Sequence, residues 1–166
     1  MIPADVDLGQ LASELTEDHV ALGPIAAHNL ALEQQLRAVT AQSQQEGLGS
    51  MGIVVLDTPR SNSLDSLRDV AQDLQHTTGY DLVVVRTPNE VASVSTHASR
   101  NTLESAECNL MNFRGDYADG MHRFVAEAAA DHTHWGIVAV IVVALVMLVI
   151  VGAACAAWGS RRIASK

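Results

Sequence analysis

Apolar positions along this chain recur with two different periods, and the switches between them mark the elements. Leu8, Leu11, Ala12 and Leu15 follow Asp7 at helical spacing, and Asp is a favourable N-cap, so a short first helix is expected. After Gly23-Pro24 a longer helix is expected from Ile25 to Gln45, with Ile25, Leu32, Leu36 and Val39 on one stripe and glutamines opposite, ended by Gly47 and Gly49. The period then collapses. Residues 52–57, GIVVLD, are continuously apolar and β-branched, the pattern of a strand buried on both faces. Ser63 is placed to cap a helix to Gln75 with Leu64, Leu67, Val70, Ala71 and Leu74 inward, and Leu82 to Val85 repeats the doubly buried strand pattern. Thr87-Pro88-Asn89-Glu90 is a turn into Val91–Ser95, a half-polar run suited to an edge strand in a hairpin. Asn101 with Glu104 resembles a capping box for a helix to Leu110, and a last helix is expected from Tyr117 to Ala130. The order α–α–β–α–β–β–α–α predicts one α/β domain, a small sheet covered by helices.

One stretch obeys neither period. Residues 136–158, GIVAVIVVALVMLVIVGAACAAW, carry no charged side chain. As a helix they would extend roughly 34 Å, enough for a hydrocarbon core of about 30 Å, with Trp135 and Trp158 at the headgroup levels. The pattern predicts a transmembrane helix over 136–158, an outer domain over 1–135 and a short basic tail over 159–166. Charge sets the orientation. All 19 acidic residues and seven of the ten cations precede the run, so that part carries −12, whereas Arg161, Arg162 and Lys166 give the tail +3. Cations are retained on the cytoplasmic side, which predicts a single-pass plasma-membrane protein with its N-terminal domain extracytoplasmic. A cytoplasmic domain on a C-terminal anchor is the competing arrangement. MIPADVDLGQ has neither a basic n-region nor an apolar h-region, so no signal peptide is expected and the span would act as its own export signal.

The acidic balance disfavours nucleic acid, whose phosphates would be repelled. Cys108 is the outer domain's one thiol, which excludes an internal disulfide there, and Cys155 reads as a small residue of the span.

Few residues suggest chemistry. Asp57 closes the first buried strand at its carboxyl end, where open α/β sheets place ligands, with Arg60, Arg86 and Asn89 expected nearby. An Asp there can ligate a metal or act as an acid; the plainer reading is a loop cap. Asp65, Asp69 and Asp73 share a helix face, read as solvated with Asp65 paired to Arg68. Asp131-His132-Thr133-His134 is the densest group of metal-type ligands, yet nothing near completes a tetrahedron, so neither a metal nor another cofactor is expected. His97 and Arg100 precede a helix N-terminus, where Arg100 can pair with Glu104. Phosphate-loop, serine-hydrolase, zinc-protease and redox Cys motifs are missing from the sequence.

GIVVLD (52–57), SLDSLRDVAQDL (63–74), YDLVVVRTP (80–88), VASVST (91–96) and SRNTLE (99–104) resemble the TPM domain. With the opening MIPADVDLGQLASEL and the apolar C-terminal run, the chain resembles actinobacterial single-pass membrane proteins bearing an outward-facing TPM-like domain. The resemblance implies a three-layer α/β/α fold facing the cell wall and control of NlpC-type peptidoglycan hydrolases during daughter-cell separation. Other TPM branches imply a metal-associated acid phosphatase, whose motif does not map residue by residue onto this sequence. The resulting expectation is a non-enzymatic module that binds a secreted peptidoglycan endopeptidase, with the bilayer as a second partner through residues 136–158. Asp57, Arg60, Arg86 and Asn89 are its candidate binding residues, and Trp135, Trp158, Arg161 and Arg162 its candidate anchors. The alternative is a divalent-metal-dependent extracytoplasmic acid phosphatase.

Overall fold

A computed structural model of the chain describes residues 6–24, 29–57 and 64–130, together with Val143 and Met147. The elements run α1 (Leu8–Asp18), β1 (Val20–Leu22), α2 (Leu30–Gln45), β2 (Met51–Val55), α3 (Leu64–Thr78), β3 (Leu82–Arg86), β4 (Val91–Ser95), α4 (Arg100–Asn112) and α5 (Tyr117–Ala130). They follow the expected order with one addition. The three-residue strand β1 was not expected, because Val20-Ala21-Leu22 is too short to show a period.

The sheet order is β1-β2-β3-β4, with β1, β2 and β3 parallel and β4 antiparallel to β3. Every residue of β2 is buried, as are Leu82 to Val85 of β3, as two-sided burial requires. Val54 lies opposite Val85 and Ile53 opposite Val84. On one face Ile53 and Val84 pack with Leu36 and Val39 of α2, Leu103 and Leu110 of α4, and Met121, Phe124 and Val125 of α5. On the other, Val54, Val83 and Val85 pack with Leu11 and Leu15 of α1 and Leu67, Val70 and Leu74 of α3. The result is three layers.

This arrangement has a topological consequence. The sheet grows in one direction from β1 to β3, yet the connection through α2 crosses one face and that through α3 crosses the other. Two parallel crossovers made in the same direction over opposite faces have opposite hands, so one of them is the rare left-handed form. With α1 packed beside α3, α2 occupies the opposite face.

The amino ends of the strands are tied together by one carboxylate. Asp81 accepts from the Ser50 N–H at 2.9 Å, the Ser50 hydroxyl at 2.8 Å and the Thr96 hydroxyl at 3.3 Å, and His97 Nε2 stands 3.5 Å away. Gly49, at φ +81°, passes so close to this carboxylate that a Cβ would lie 2.3 Å from Asp81 Oδ2. The Ser50 N–H, then the Ser50 hydroxyl, hold the Asp81 carboxyl below its ordinary range, with the His97 charge a smaller contribution.

One local expectation is corrected. The cap of α4 is Ser99, whose hydroxyl accepts from the Thr102 N–H, and Asn101 already lies inside the helix. Glu104 pairs with Arg100 at 2.7 Å, the partner expected for it as an alternative to the cap. Arg68 of α3 reaches Glu104 and Glu107 of α4, each at 3.4 Å, because α3 and α4 converge beside β4. The fold class needs a larger correction. The α/β part stands, but the accompanying C-terminal transmembrane helix is not found: among the described residues no helix is long and apolar enough to cross a membrane. The last helix of the domain, α5, has 14 residues, about 21 Å, and carries His122, Arg123 and Glu127. The run 136–158 lies outside the described residues except for Val143 and Met147, which are helical and exposed.

Replacing Val84 with Asp would bury a charge without a partner between two packed layers, and is expected to abolish cooperative unfolding monitored by circular dichroism. Asp81→Asn tests the other constraint. A carboxyl whose folded pKa is lowered contributes stability above its unfolded pKa of about 3.9 and loses it as pH falls through the folded value. The Asn variant should therefore melt below the wild type at neutral pH, with the gap closing below about pH 4.

Candidate functional site

The carboxyl ends of β1, β2 and β3 point to the same end of the sheet, opposite the Asp81 tie. The described candidate residues are distributed over three places there.

Asp57 follows β2 and lines an open cleft of about 450 Å³ with Leu22, Gly23 and Pro24 after β1 and Val6, Asp7, Gln10 and Glu14 beside or on α1. Gly23 donates to the Val55 carbonyl at 2.7 Å, and its Cα abuts the Asp57 carboxylate so closely that a Cβ would stand 2.7 Å from Oδ2. A side chain at residue 23 would displace Asp57. Asp7 is engaged as the α1 cap, accepting from the Gln10 N–H at 3.0 Å. Among the described residues no three His, Cys, Asp or Glu side chains gather as a metal-ligand group.

Arg86 ends β3 on the face shared with α5. Its guanidinium carbon lies 4.1 Å from the centre of the Tyr117 ring, a cation–π contact at the start of α5. Arg86 Nε and Nη1 and the Tyr117 hydroxyl are buried without a hydrogen-bond partner. Burial pushes the Tyr117 hydroxyl up to about 12, against the opposing pull of the Arg86 charge.

Asn89, in the β3–β4 turn, lines a groove of about 570 Å³ along the free edge of β4. Arg68 of α3 stands on one side, Glu104, Glu107, Cys108 and Met111 of α4 on the other, and Glu90, Val91 and Ala92 between them. Asp57, Arg86 and Asn89 thus belong to separate surroundings and form no single crevice among the described residues. Arg60, Trp135, Trp158, Arg161 and Arg162 lie outside those residues, as does the Asp131–His134 cluster.

The groove contains the least expected side chain of the domain. Glu107 is buried, and its Oε1 accepts from the Ser93 N–H at 2.6 Å and the Ser93 hydroxyl at 2.7 Å. This carboxylate occupies the place of a neighbouring strand for Ser93 and blocks the middle of the edge. Desolvation raises the Glu107 pKa, and the Ser93 hydrogen bonds and the Arg68 charge work against that rise. Glu107 was absent from the sequence candidates although its signal was legible. It falls four residues after Leu103 and three before Leu110, on the apolar stripe of α4, where a carboxylate requires a buried donor.

Comparison with known proteins places these features in context. A family model described as "Membrane protein Rv1476" matches residues 1–166. The chain is 31% identical over 160 residues to a membrane protein of that name from Mycobacterium tuberculosis, covering 96% of this chain and 77% of the relative. Its fold is similar to an N-terminal domain from P. gingivalis solved by NMR, with TM-score 0.55 and 18% identity over 78% of this chain and 90% of that one. It is also similar to the N-terminal domain of the cg2496 protein from Corynebacterium glutamicum, with TM-score 0.52 and 13% identity over 80% and 88% of the two chains. At these identities the structural likenesses establish the fold alone.

Glu107→Ala would leave the buried Ser93 N–H without an acceptor and is expected to cost about 1–3 kcal/mol in urea unfolding. Glu107→Gln keeps one carbonyl oxygen for Ser93 and removes the buried charge, so it should lose clearly less. Equal losses in the two variants would show that the Ser93 contact is not what Glu107 contributes.

Proposed function

The chain belongs to the membrane protein Rv1476 family, and from that premise we propose that it is a non-enzymatic interaction module that binds and regulates a secreted peptidoglycan hydrolase of NlpC type during cell-wall remodelling and cell separation. The observation that carries the docking part is the groove on β4. It is open, has an apolar floor with charged walls, and lies beside a strand edge, the composition of a protein-binding surface with a limited number of polar contacts. The hydrolase class comes from the TPM-like succession of strand and helix runs in the sequence. In this reading the α/β domain faces the cell wall and residues 159–166 remain cytoplasmic, supported by the tail cations Arg161, Arg162 and Lys166 against a Lys-free remainder. Membrane association keeps such a regulator where wall hydrolases act and raises their encounter rate at that surface.

The full chain in detergent micelles is expected to retain an NlpC-type hydrolase from the secreted fraction and to change its rate of peptidoglycan cleavage. A reporter active only in the cytoplasm, fused before residue 1, should be silent, and strong reporter activity would reverse the orientation. Divalent-cation-dependent release of phosphate from a generic phosphomonoester, lost in Asp57→Ala, would replace the docking reading with the acid-phosphatase alternative.

A further inference from the structure

The crevice at the carboxyl ends of β1 and β2 is singled out by topology before any side chain is considered. From β1 the chain passes to α2 on one face of the sheet, and from the neighbouring β2 it passes to α3 on the other. Connections that part in this way leave a gap outside the strand ends, and open α/β sheets place ligands in that gap. The cleft of about 450 Å³ lies there, between Leu22, Gly23 and Pro24 after β1 and Leu56 and Asp57 after β2, with α1 as one wall. Its size falls within the roughly 300–1,000 Å³ of small-molecule sites. Solvent reaches it, because Asp7, Gln10 and Pro24 are exposed and Glu14, Leu22, Leu56 and Asp57 are half-buried.

The lining then selects the ligand. Val6, Leu11, Leu22 and Leu56 make it apolar, and its ionisable groups are Asp7, Glu14 and Asp57, with no Lys, Arg or His among the described residues. Carboxylates set against apolar walls repel anions and concentrate cations. Acceptor capacity remains. Asp7 uses Oδ1 for the Gln10 N–H at 3.0 Å and Glu14 uses Oε1 for the Gln10 side-chain amide at 2.8 Å, whereas an ionised carboxylate accepts about four hydrogen bonds. The Asp7 cap also offsets the positive end of the α1 dipole, which would otherwise oppose a cation. Gly23 sets the position of the third carboxylate, since Asp57 sits where a Cβ on residue 23 would stand 2.7 Å from Oδ2. A hard divalent ion needs about six oxygens drawn close, and no three His, Cys, Asp or Glu side chains gather in that way among the described residues. An ammonium group needs fewer partners, at about 2.7–2.9 Å, and the carbon chain that carries it can lie on the apolar wall.

We propose that the crevice between the carboxyl ends of β1 and β2 binds a small aliphatic ammonium compound, its N–H groups taken by Asp57 with the Glu14 and Asp7 charges beside it, and its carbon chain laid on Leu22 and Leu56. The carboxylates supply the selection for a cation, and the apolar wall supplies the selection for an organic one. The site lies beside β1, at the opposite edge of the sheet from the β4 groove, so it goes beyond the docking reading and does not depend on it.

The test is a titration of the full ¹⁵N-labelled chain in nonionic detergent micelles, followed through the backbone amide resonances of Gly23, Leu56 and Asp57. The probe is n-butylammonium chloride, with n-butanol and sodium butyrate as comparators of the same chain length. The ammonium compound should shift these resonances saturably, the alcohol should bind about tenfold more weakly, and the carboxylate should give no saturable shift. Asp57→Asn should weaken ammonium binding about tenfold, the effect of losing one charge-assisted hydrogen bond. Gly23→Ala should weaken it as well by displacing the Asp57 carboxylate, and if that variant does not fold, Asp57→Asn carries the test. Glu127→Gln, on α5 across the sheet, should leave binding unchanged. Absence of saturable shifts, equal binding of butanol or butyrate, or indifference to Asp57→Asn overturns the proposal. Displacement of the ammonium compound by magnesium chloride at a tenfold lower concentration also overturns it, and makes the crevice a divalent-cation site.

Discussion

Two-sided burial of β2 and β3 is the constraint from which the rest of this domain follows. A strand with Ile53 directed to one side and Val54 to the other needs an apolar layer on each, and β3 repeats the demand with Val83 and Val84. At roughly 1.5–3 kcal/mol per fully buried aliphatic side chain, these two strands alone gain more from coverage than most single hydrogen bonds supply. Helices must therefore lie on both faces. The chain meets this by sending α2 across one face and α3 across the other, even though one crossover then takes the unfavoured hand. Packing outweighs the preference of the connection.

The two ends of the sheet are treated differently. At the amino ends of β2 and β3, Asp81 binds Ser50 and Thr96 together and Gly49 is compressed against it, so that end is closed by short polar contacts. At the carboxyl ends the chain leaves the sheet into turns, and the polar groups there are spread over an Asp57 cleft, an Arg86–Tyr117 stack and the β4 groove. Buried polar atoms without partners also gather there, on Arg86, Glu90 and Tyr117. Short polar contacts thus close one end, and buried polar atoms without partners lie at the other.

The edge strand links the two. An uncovered β4 would invite indiscriminate pairing. Glu107 prevents this at Ser93 by serving as a substitute acceptor, and α4 is held in position for it by Leu103, Ala106 and Leu110 in the core. Val91, Ala92 and Ser93 of this strand are themselves buried.

Much of this could be read from residue order. The continuous apolar runs at 52–57 and 82–85 determined two fully buried strands, because nothing else in a small domain tolerates such runs. Helical stripes located α1, α3, α4 and α5 to within a few residues, and the half-polar run Val91–Ser95 was recognisable as an edge. Candidate chemistry was less legible. Asp57, Arg86 and Asn89 lie at the end of the sheet where sequence placed them, but which face and which neighbour each receives depends on strand order and crossover hand, neither of which leaves a periodic trace. The strand β1 escaped notice because three residues carry no period, and the pairing of Arg68 with α4 because it spans 36 residues or more of chain. Local pattern is set by solvent, which each segment meets on its own, so the sequence alone determined the elements and their buried faces. The hand of the crossovers and the Glu107 seal arise only when segments distant in the chain compete for the same space, and tertiary structure alone decided them.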